Sequence, residues 1–198
     1  RRSKYLLFFF SKKIVMIVHL GMTGKFFVEN KNKVKTKTSF YYNLDEKKDK
    51  KHNHLIFVFS NNTRLIYNDV RKFGFIKFDQ MHKYKANLHL KILGPEPLQN
   101  NFNFNYFKDY IKKKKIIIKN LLMNQKFVSG LGNIYVNEIL FFSKVRPTRI
   151  SIKLKDIEIN RIIKNTKKIL KKAITFGGSS ISDFSSASGK TGTYQQYF

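Results

Sequence analysis

Two short turns in this sequence combine glycine with residue types that can contact a nucleic acid. The segment His19-Leu20-Gly21-Met22-Thr23-Gly24 predicts a tight strand-to-strand turn that presents Met22 outward. The alternative, a hairpin whose methionine packs in the core, is favoured by the local sequence alone because methionine usually fills core gaps. The segment from Asp69 to Gly74 places Arg71 and Phe73 at a second turn. There a cation could pair with a base or phosphate and a ring could wedge between bases; the alternative is a basic surface turn with the phenylalanine in the core.

A pair of glycines precedes a predicted helix. Gly130-Leu131-Gly132 leads into a helix that starts at Asn133, and glycines at such a place let backbone N–H groups and the helix dipole approach a phosphate. The Asn133 side chain could add a donor. The pattern is not a dinucleotide fingerprint, because it follows a helical stretch and lacks the third glycine. The alternative is a helix–turn–helix linker that binds nothing.

The two histidines His52 and His54 do not predict a metal site. They lie in a lysine-rich stretch with few carboxylates, and a useful site needs more converging ligands. The chain has no cysteine, which excludes disulfides and thiolate metal sites within it. Absence of disulfides fits a reducing compartment, so we expect a cytoplasmic protein.

The charge balance indicates a polyanionic partner. The chain has 198 residues, with 40 Lys plus Arg against 12 Asp plus Glu, and a formal net charge of +28. Such an excess favours nucleic acid, or less often an anionic membrane surface. Bias towards AT-rich codons is an alternative source of part of the lysine, since Asn, Ile, Phe and Tyr are also plentiful. No apolar run reaches the roughly 18 to 20 residues that span a bilayer, so no membrane partner is expected.

Short strands are predicted in the first eighty residues and helices beyond residue 101. The strands are rich in β-branched and aromatic residues and are predicted at Tyr5–Phe10, Ile14–Leu20, Lys25–Val28, Leu55–Ser60, Arg64–Asn68 and Gly74–Phe78. Helices are predicted at Phe102–Ile111, Ile116–Met123, Asn133–Ser143 and Asp156–Phe176. The last has Asp156 as its N-cap, an apolar stripe ending at Ile174 and two glycines at its end. We expect an α+β protein with an incomplete antiparallel β-sandwich (residues 1–92), a proline-containing linker (93–100) and a helical domain (101–198).

Six segments resemble, in order, the signatures of bacterial formamidopyrimidine-DNA glycosylases. Each segment is weak alone, but six in the same order are specific, and together they span essentially the whole chain. The His-Leu-Gly-Met-Thr-Gly turn also separates the chain from the related endonuclease VIII branch. The segments are Arg1–Leu7, His19–Gly24, Asp69–Gly74, Leu93–Leu98, Gly130–Glu138 and Gly177–Phe184.

The resemblance implies a base-excision repair enzyme with a β-sandwich and a helix–two-turn–helix domain. The family removes oxidised purines, chiefly 8-oxoguanine and formamidopyrimidines, from duplex DNA and cuts the abasic strand by β,δ-elimination. The target base leaves the stack, and by resemblance Met22, Arg71 and Phe73 fill the void, with Arg71 donating to the orphan cytosine. The resemblance therefore reverses the local interpretation of Met22. The implied partner is double-stranded DNA with an oxidised purine opposite cytosine, bound by a monomer.

The same resemblance assigns phosphate contacts, a supporting acid and a loop over the flipped base. The residues that match phosphate contacts around the lesion are Lys4, His19, Gly130, Gly132 and Asn133. Lys4 also matches a residue that supports catalysis, as does Glu138, which is expected to be a buried acid beneath the pocket. The loop at residues 177–195 is expected to cover the lesion, and its assigned residues are Gly177, Gly178, Ser179, Ser180 and Tyr194.

Three departures separate the chain from the family pattern. The family's nucleophile is an N-terminal proline followed by a glutamate, whereas the three prolines here, Pro95, Pro97 and Pro147, are internal; no catalytic residue is therefore assigned. The family implies zinc, but the cysteine ligands of its zinc finger are absent from this chain. Val70 replaces the usual proline after the aspartate. We expect a fragment, itself inactive, of a glycosylase and lyase that lacks the N-terminal catalytic helix and the zinc finger; the alternatives are a DNA-binding remnant without catalysis and a basic RNA-binding protein.

Overall fold

The computed structural model describes residues 1–29, 35–38 and 50–178. The predicted loop residues Ser179, Ser180 and Tyr194 lie outside these ranges. The chain forms two compact units. A helical unit comprises Arg1–Lys4 and Asp79–Lys172, and a sheet unit comprises Tyr5–Phe78 and the described residues from Ala173 onward. The linker predicted at residues 93–100 thus lies inside the helical unit.

The strands form two antiparallel sheets. In the described residues the strands are β1 (Tyr5–Phe10), β2 (Ile14–His19), β3 (Lys25–Glu29), β4 (Lys35–Thr38), β5 (Asn53–Val58), β6 (Arg64–Asn68) and β7 (Phe75–Gln80). One sheet has the strand order β1-β2-β7, and the other has the order β4-β3-β6-β5. The β2–β3 connection and the β6–β7 connection are the two turns that sequence analysis selected.

One apolar core holds the two sheets together. Met16 and Val18 of β2 pack with Phe26 of β3 and Tyr67 of β6, and each such side chain contributes about 1.5–3 kcal/mol on burial. Since Val15 and Ile17 are also fully buried, β2 is buried on both faces, which explains its uninterrupted apolar sequence. The partly buried residues around this core are Leu6, Phe8, Phe10, Leu20, Phe57, Leu65 and Ile76.

The helical unit is built around aromatic side chains. Its α-helices in the described residues are α1 (Leu88–Lys91), α2 (Phe104–Ile111), α3 (Ile118–Met123), α4 (Asn133–Phe142) and α5 (Asp156–Thr175). Phe102, Phe107 and Phe127 are fully buried, and the rings of the last two meet edge to face at 4.9 Å. The Asn103 side chain caps α2 by accepting the Tyr106 N–H at 3.0 Å. This packing fixes the segment around residue 127 that precedes the glycine pair.

Helix α5 starts with one half of a capping box, which the sequence did not predict. The Glu158 carboxylate accepts the Lys155 N–H at 2.7 Å, the bond that closes a capping box. The N-cap prediction for Asp156 was wrong, because that residue is the first helical one and its side chain pairs with Lys108. The apolar stripe is also shorter than predicted, since Ile174 is 64% exposed.

The C-terminus of α5 ends in a Schellman motif. Gly178 donates its N–H to the Ala173 carbonyl at 2.8 Å, and Gly177 donates to the Ile174 carbonyl at 3.2 Å. Both glycines have positive φ, +71° and +99°, and the motif requires this of Gly177. The predicted helix end at these two glycines is therefore confirmed, and they have a structural role besides any role in a loop.

The α+β fold class predicted from sequence is confirmed. Each predicted strand and helix is present with ends that differ by no more than two residues. Strand β4 and helix α1 were missed. No helix of the described chain is both long and apolar enough to cross a membrane.

Gly177→Ala is expected to lower the free energy of unfolding by about 1–2 kcal/mol, the usual cost of a left-handed conformation for a residue with a Cβ atom. No atom lies within 4 Å of the added Cβ, so the loss would come from backbone conformation alone. Gly177→Asn should lose less, because asparagine tolerates this conformation. Urea unfolding at neutral pH measures both, and equal losses would contradict the assignment.

Candidate nucleic-acid interface

The β2–β3 turn and the β6–β7 turn present Met22, Arg71 and Phe73 together at the surface. Met22 is 55% exposed and Phe73 is 56% exposed. The Arg71 guanidinium lies between them: its Nη1 is 3.5 Å from the Met22 sulfur, and its Cζ is 4.5 Å from the centre of the Phe73 ring. Neither apolar side chain packs in the core, so the outward interpretation of Met22 holds. The three form one exposed group with a cation at its centre.

A buried carboxylate joins the two turns beneath this group. Asp69 has no exposed surface, and Thr23 of the first turn donates its hydroxyl to Asp69 Oδ1 at 2.5 Å. The N–H of Arg71 donates to Oδ1 at 3.3 Å, and the N–H of Gly74 donates to Oδ2 at 2.8 Å. Tyr67, within β6, donates its hydroxyl to Oδ2 at 3.1 Å. A single side chain therefore holds both turns and strand β6.

These hydrogen bonds keep Asp69 ionised inside the protein. Burial raises the pKa of its carboxyl group, but the donors on Thr23, Gly74, Tyr67 and Arg71 outweigh burial and bring the pKa below its ordinary value. The effect on the partner is opposite: burial, and then the negative charge of Asp69, raise the pKa of Tyr67 far above its ordinary value. The tyrosine therefore remains a donor at any physiological pH.

The two turns touch through glycines. A Cβ on Gly74 would lie 2.1 Å from the Tyr67 hydroxyl oxygen, and a Cβ on Gly21 would lie 2.7 Å from the Gly74 nitrogen. Gly21 also has a φ of +63°, which disfavours a side chain whatever the space. Both glycines are therefore required by close approach, which is the physical reason for two glycine-containing motifs.

Two histidine side chains of the sheet unit, His19 and His54, make contacts within that unit. The Gly21 N–H donates to His19 Nδ1 at 3.1 Å, so the neutral ring carries its hydrogen on Nε2, and the ring stacks on Phe75 with centroids 5.8 Å apart. His54 Nε2 lies 2.8 Å from the carbonyl oxygen of Asp69. No group of three potential metal ligands is found in the residues the structure describes.

In the helical unit, Gln125 organises the glycine pair. Its Oε1 accepts the N–H of Gly130 at 2.7 Å and the hydroxyl of Ser3 at 3.3 Å. Its Nε2 donates to the carbonyl oxygen of Leu131 at 2.9 Å. Because Gly130 has a φ of +93°, the side-chain amide stabilises a backbone shape that few residues adopt. Gln125 thus ties the N-terminal segment to the turn that precedes α4.

The N-terminal segment is held from its other side by Arg2. The guanidinium donates to the Gly94 carbonyl at 2.7 Å and the Ser129 hydroxyl at 3.1 Å, and it lies 3.2 Å from a Glu96 carboxylate oxygen. The same Glu96 oxygen accepts the Ser3 N–H at 2.7 Å. Burial raises the pKa of Glu96, but the Ser3 and Arg2 donors outweigh it and lower the pKa overall. Groups of residues 93–98 therefore bind the N-terminal segment.

This attachment brings Lys4 to the start of α4. The Lys4 ammonium nitrogen lies 3.4 Å from where a Cβ on Gly132 would stand, so the glycine leaves room for it. Partial desolvation lowers the pKa of Lys4, although its side chain remains exposed. No side chain caps the N-terminus of α4, and Asn133, its first residue, is exposed. The structure thus groups Lys4, Gly130, Gly132 and Asn133, while His19 belongs to the sheet unit.

One predicted site residue differs from expectation in its burial, and three residues that shape the site were not predicted. Glu138, expected to be buried, is partly exposed on α4. Thr23, Asp69 and Gln125 were not selected, although each makes the hydrogen bonds that shape a predicted turn. Their signal in the sequence is a polar side chain within five residues of a glycine, where a turn needs an internal hydrogen-bond partner.

Comparisons with known proteins agree with both units. Residues 1–76 match the formamidopyrimidine-DNA glycosylase N-terminal domain, and residues 93–185 match the formamidopyrimidine-DNA glycosylase H2TH domain. The formamidopyrimidine-DNA glycosylase of Rickettsia felis is 37% identical over 200 residues, covering 99% of this chain and 66% of the relative. That of Listeria monocytogenes is 39% identical over 195 residues, covering 98% and 66%.

The solved structures that resemble this chain belong to the same family as the curated relatives. A complex of the Lactococcus lactis Fpg protein with DNA containing an abasic site has a TM-score of 0.82 at 32% identity, covering 99% of this chain and 67% of that one. A MutM complex with carbocyclic 8-oxo-G containing DNA has a TM-score of 0.80 at 34% identity, covering 99% and 66%. The chain belongs to the formamidopyrimidine-DNA glycosylase family. It spans about 66% of the length of the curated relatives named here.

The zinc implied by the family does not fit the residues of this chain. The chain contains no cysteine, so it cannot supply thiolate ligands to a zinc finger. The described histidines and carboxylates do not converge in threes. We therefore derive no step of the function through zinc.

Gln125→Met is expected to destabilise the helical unit, because it leaves the Gly130 N–H and the Leu131 carbonyl without their partner at about 1–3 kcal/mol for each unsatisfied group. The matched control is Gln99→Met, since Gln99 is an exposed glutamine of the same unit, and its effect should stay within about 0.5 kcal/mol. Urea unfolding followed by circular dichroism compares the two variants. Equal stabilities would show that Gln125 does not hold the turn.

Asp69 is expected to contribute to acid unfolding. Because its folded pKa lies below the ordinary 3.8, the ionised carboxylate stabilises the fold above that value, and the stabilisation is lost as the pH falls through the folded pKa. Asp69→Asn cannot titrate, so its free energy of unfolding should decline less steeply below about pH 3.8. The measurement is urea unfolding at a series of pH values. The same slope in both proteins would exclude this role.

Proposed function

We propose that this chain supplies the DNA-recognition surfaces of a base-excision repair glycosylase that acts on oxidised purines opposite cytosine in duplex DNA. The observation that carries the proposal is the exposed group of Met22, Arg71 and Phe73, held together by the guanidinium. An exposed methionine and phenylalanine would otherwise cost solubility without stabilising the fold. Their position at adjacent turn tips suits insertion into a duplex.

Each of the three side chains fits one task in an opened base pair. When a base leaves the stack, it leaves an apolar space and an unpaired base on the other strand. Met22 is flexible enough to occupy that space, and Phe73 is a rigid ring that can wedge beside the orphan base and kink the duplex. Arg71 can donate to the acceptors of an orphan cytosine. Cytosine specificity in this proposal therefore rests on Arg71.

The turn before α4 supplies a phosphate contact in this proposal. Lys4 provides a point charge, Asn133 a neutral donor and the uncapped helix start backbone N–H groups, all of which suit a phosphate oxygen. A separate phosphate contact is proposed for His19 in the sheet unit. The net charge of +28 strengthens every such contact through counterion release. We further propose that the protein acts as a monomer on chromosomal DNA in the bacterial cytoplasm.

We assign no catalytic residue within this sequence. Removal of the base followed by β,δ-elimination needs an amine that attacks the sugar C1′, expels the base and becomes an iminium. The prolines of this chain are Pro95, Pro97 and Pro147, and a proline inside a chain has no basic nitrogen to offer. Glycosylase and lyase chemistry is therefore proposed for the intact family protein, with binding as the part played by these 198 residues.

The test is the affinity of the 198-residue chain for two duplexes, one undamaged and one with a stable abasic-site analogue opposite cytosine. The abasic duplex should bind more tightly, and Arg71→Ala should remove most of that difference, at about 1–3 kcal/mol for a lost bidentate base contact. Arg64→Ala is the control, since Arg64 is an exposed arginine of the same unit that pairs with Glu29. It should leave the difference between the duplexes unchanged.

Two further measurements on the same chain, borohydride trapping and RNA binding, distinguish the alternatives. Borohydride treatment of the chain on an 8-oxoguanine duplex should give binding without a covalent adduct, because no iminium forms. An adduct would show that an amine of this chain is a nucleophile, and would overturn the restriction to binding. Similar affinities for RNA and for both DNA duplexes would instead support a general basic RNA-binding protein.

A further inference from the structure

We propose that Thr23 is a specificity-determining residue, which positions Arg71 against the base opposite the lesion. The inference rests on the proposed function and goes beyond it, since Thr23 itself need not touch DNA. It concerns a hydroxyl that lies between the two turns carrying the exposed group. A change at Thr23 should therefore alter discrimination between the bases opposite the lesion without altering the overall affinity for DNA.

The Thr23 hydroxyl is both a hydrogen-bond donor and a hydrogen-bond acceptor. The hydroxyl donates to Asp69 Oδ1 at 2.5 Å and accepts the Arg71 N–H at 3.1 Å. Because a hydroxyl has one hydrogen, donation to the carboxylate directs its lone pairs elsewhere, and Arg71 uses one of them. The single N–H of Arg71 is therefore shared between two acceptors, the Thr23 hydroxyl and, at 3.3 Å, Asp69 Oδ1.

Fixing this backbone matters because Arg71 has a long side chain. A free arginine side chain has about 2 kcal/mol of rotamer entropy, and recognition of one base edge requires placement within about 0.5 Å. In the structure the guanidinium contacts Met22 on the first turn and Phe73 on the second. Thr23 joins the same two turns one residue away from Met22. A shift between the turns would therefore displace the guanidinium from both of its neighbours.

Affinity and discrimination depend on different features of this arrangement. Affinity for any duplex follows from the number of cations near phosphates, and a change at Thr23 removes no cation and affects the placement of Arg71 alone. Discrimination between orphan bases follows from where the Arg71 donors point. Loss of the hydroxyl should therefore reduce the preference for cytosine while leaving binding to undamaged DNA unchanged. A purely structural threonine would affect both duplexes alike.

The experiment compares Thr23→Val, which is isosteric without the hydroxyl, with Thr23→Ser, which keeps the hydroxyl. Thr63→Val is the matched control, because Thr63 lies in the β5–β6 turn of the same unit. Each protein is titrated with undamaged duplex and with abasic-analogue duplexes carrying C, A, G or T opposite the site. The preference for C should fall about fivefold in Thr23→Val, the factor for one net hydrogen bond. Thr23→Ser and Thr63→Val should match the parent.

Every outcome of this experiment bears on the inference. A parent chain with no preference for C would overturn the role proposed for Arg71, independently of Thr23. A parent that prefers C together with a Thr23→Val variant of equal preference would overturn the role of Thr23 alone. Urea unfolding is measured for each variant, and Thr23→Ala serves as a second variant without the hydroxyl. If neither hydroxyl-free variant folds, Thr23 is a stability residue and the inference is wrong.

Discussion

The burial of the Asp69 carboxylate is the constraint on which the exposed turns of the sheet unit depend. An ionised carboxylate without exposed surface is costly unless donors surround it, and here the donors come from two turns and one strand. Removing any donor would leave part of a charge unsatisfied. The turns therefore cannot move apart without a large penalty, and a pair of surface turns behaves as a rigid element.

The rigidity of the two turns matters because the apolar side chains above Asp69 are exposed to solvent, which is energetically unfavourable. Met22 and Phe73 are each more than half exposed, and the hydrophobic effect would favour their collapse onto the protein. The close approach of Gly21 and Gly74 and the hydrogen bonds below hold the backbones of both turns, so that these side chains stay at the turn tips. The buried charge thus keeps an apolar surface outside, and the insertion proposed for it would need no further ordering of these turns.

In the helical unit, a neutral side chain has the organising role that Asp69 has in the sheet unit. Gln125 accepts from Gly130 and Ser3 and donates to Leu131, so that one side chain satisfies three segments. An amide is suited to this place because it lies close to Lys4 and to a helix start that would bind an anion. A carboxylate there would compete with the proposed phosphate for the same donors, whereas Asp69 lies under the turn tips for which base contacts are proposed. The difference between the two organising residues therefore follows from what each surface is proposed to contact.

The strands and helices of this fold are largely predictable from the sequence, whereas the contacts that organise the turns are not, for physical reasons that particular residues make clear. Strand β2 was predictable because its apolar run is long, whereas β4, with sequence Lys-Thr-Lys-Thr, has no apolar face and is defined only by pairing with β3. Helix α1 has four residues, too few for a period. The contact between Thr23 and Asp69 spans 46 positions and depends on the arrangement of β3 and β6.

Met22 shows why local sequence alone gave the opposite answer. Its residue type favours a core, and nothing in its own chemistry indicates exposure. What decides its position is the chain around it: Gly21 has a positive φ, and Gly24 donates its N–H to the Leu20 carbonyl at 2.8 Å, which closes the turn with Met22 at its tip. The informative feature was therefore the spacing of the glycines. A motif read as a set of backbone constraints would have predicted the exposed methionine without reference to any family.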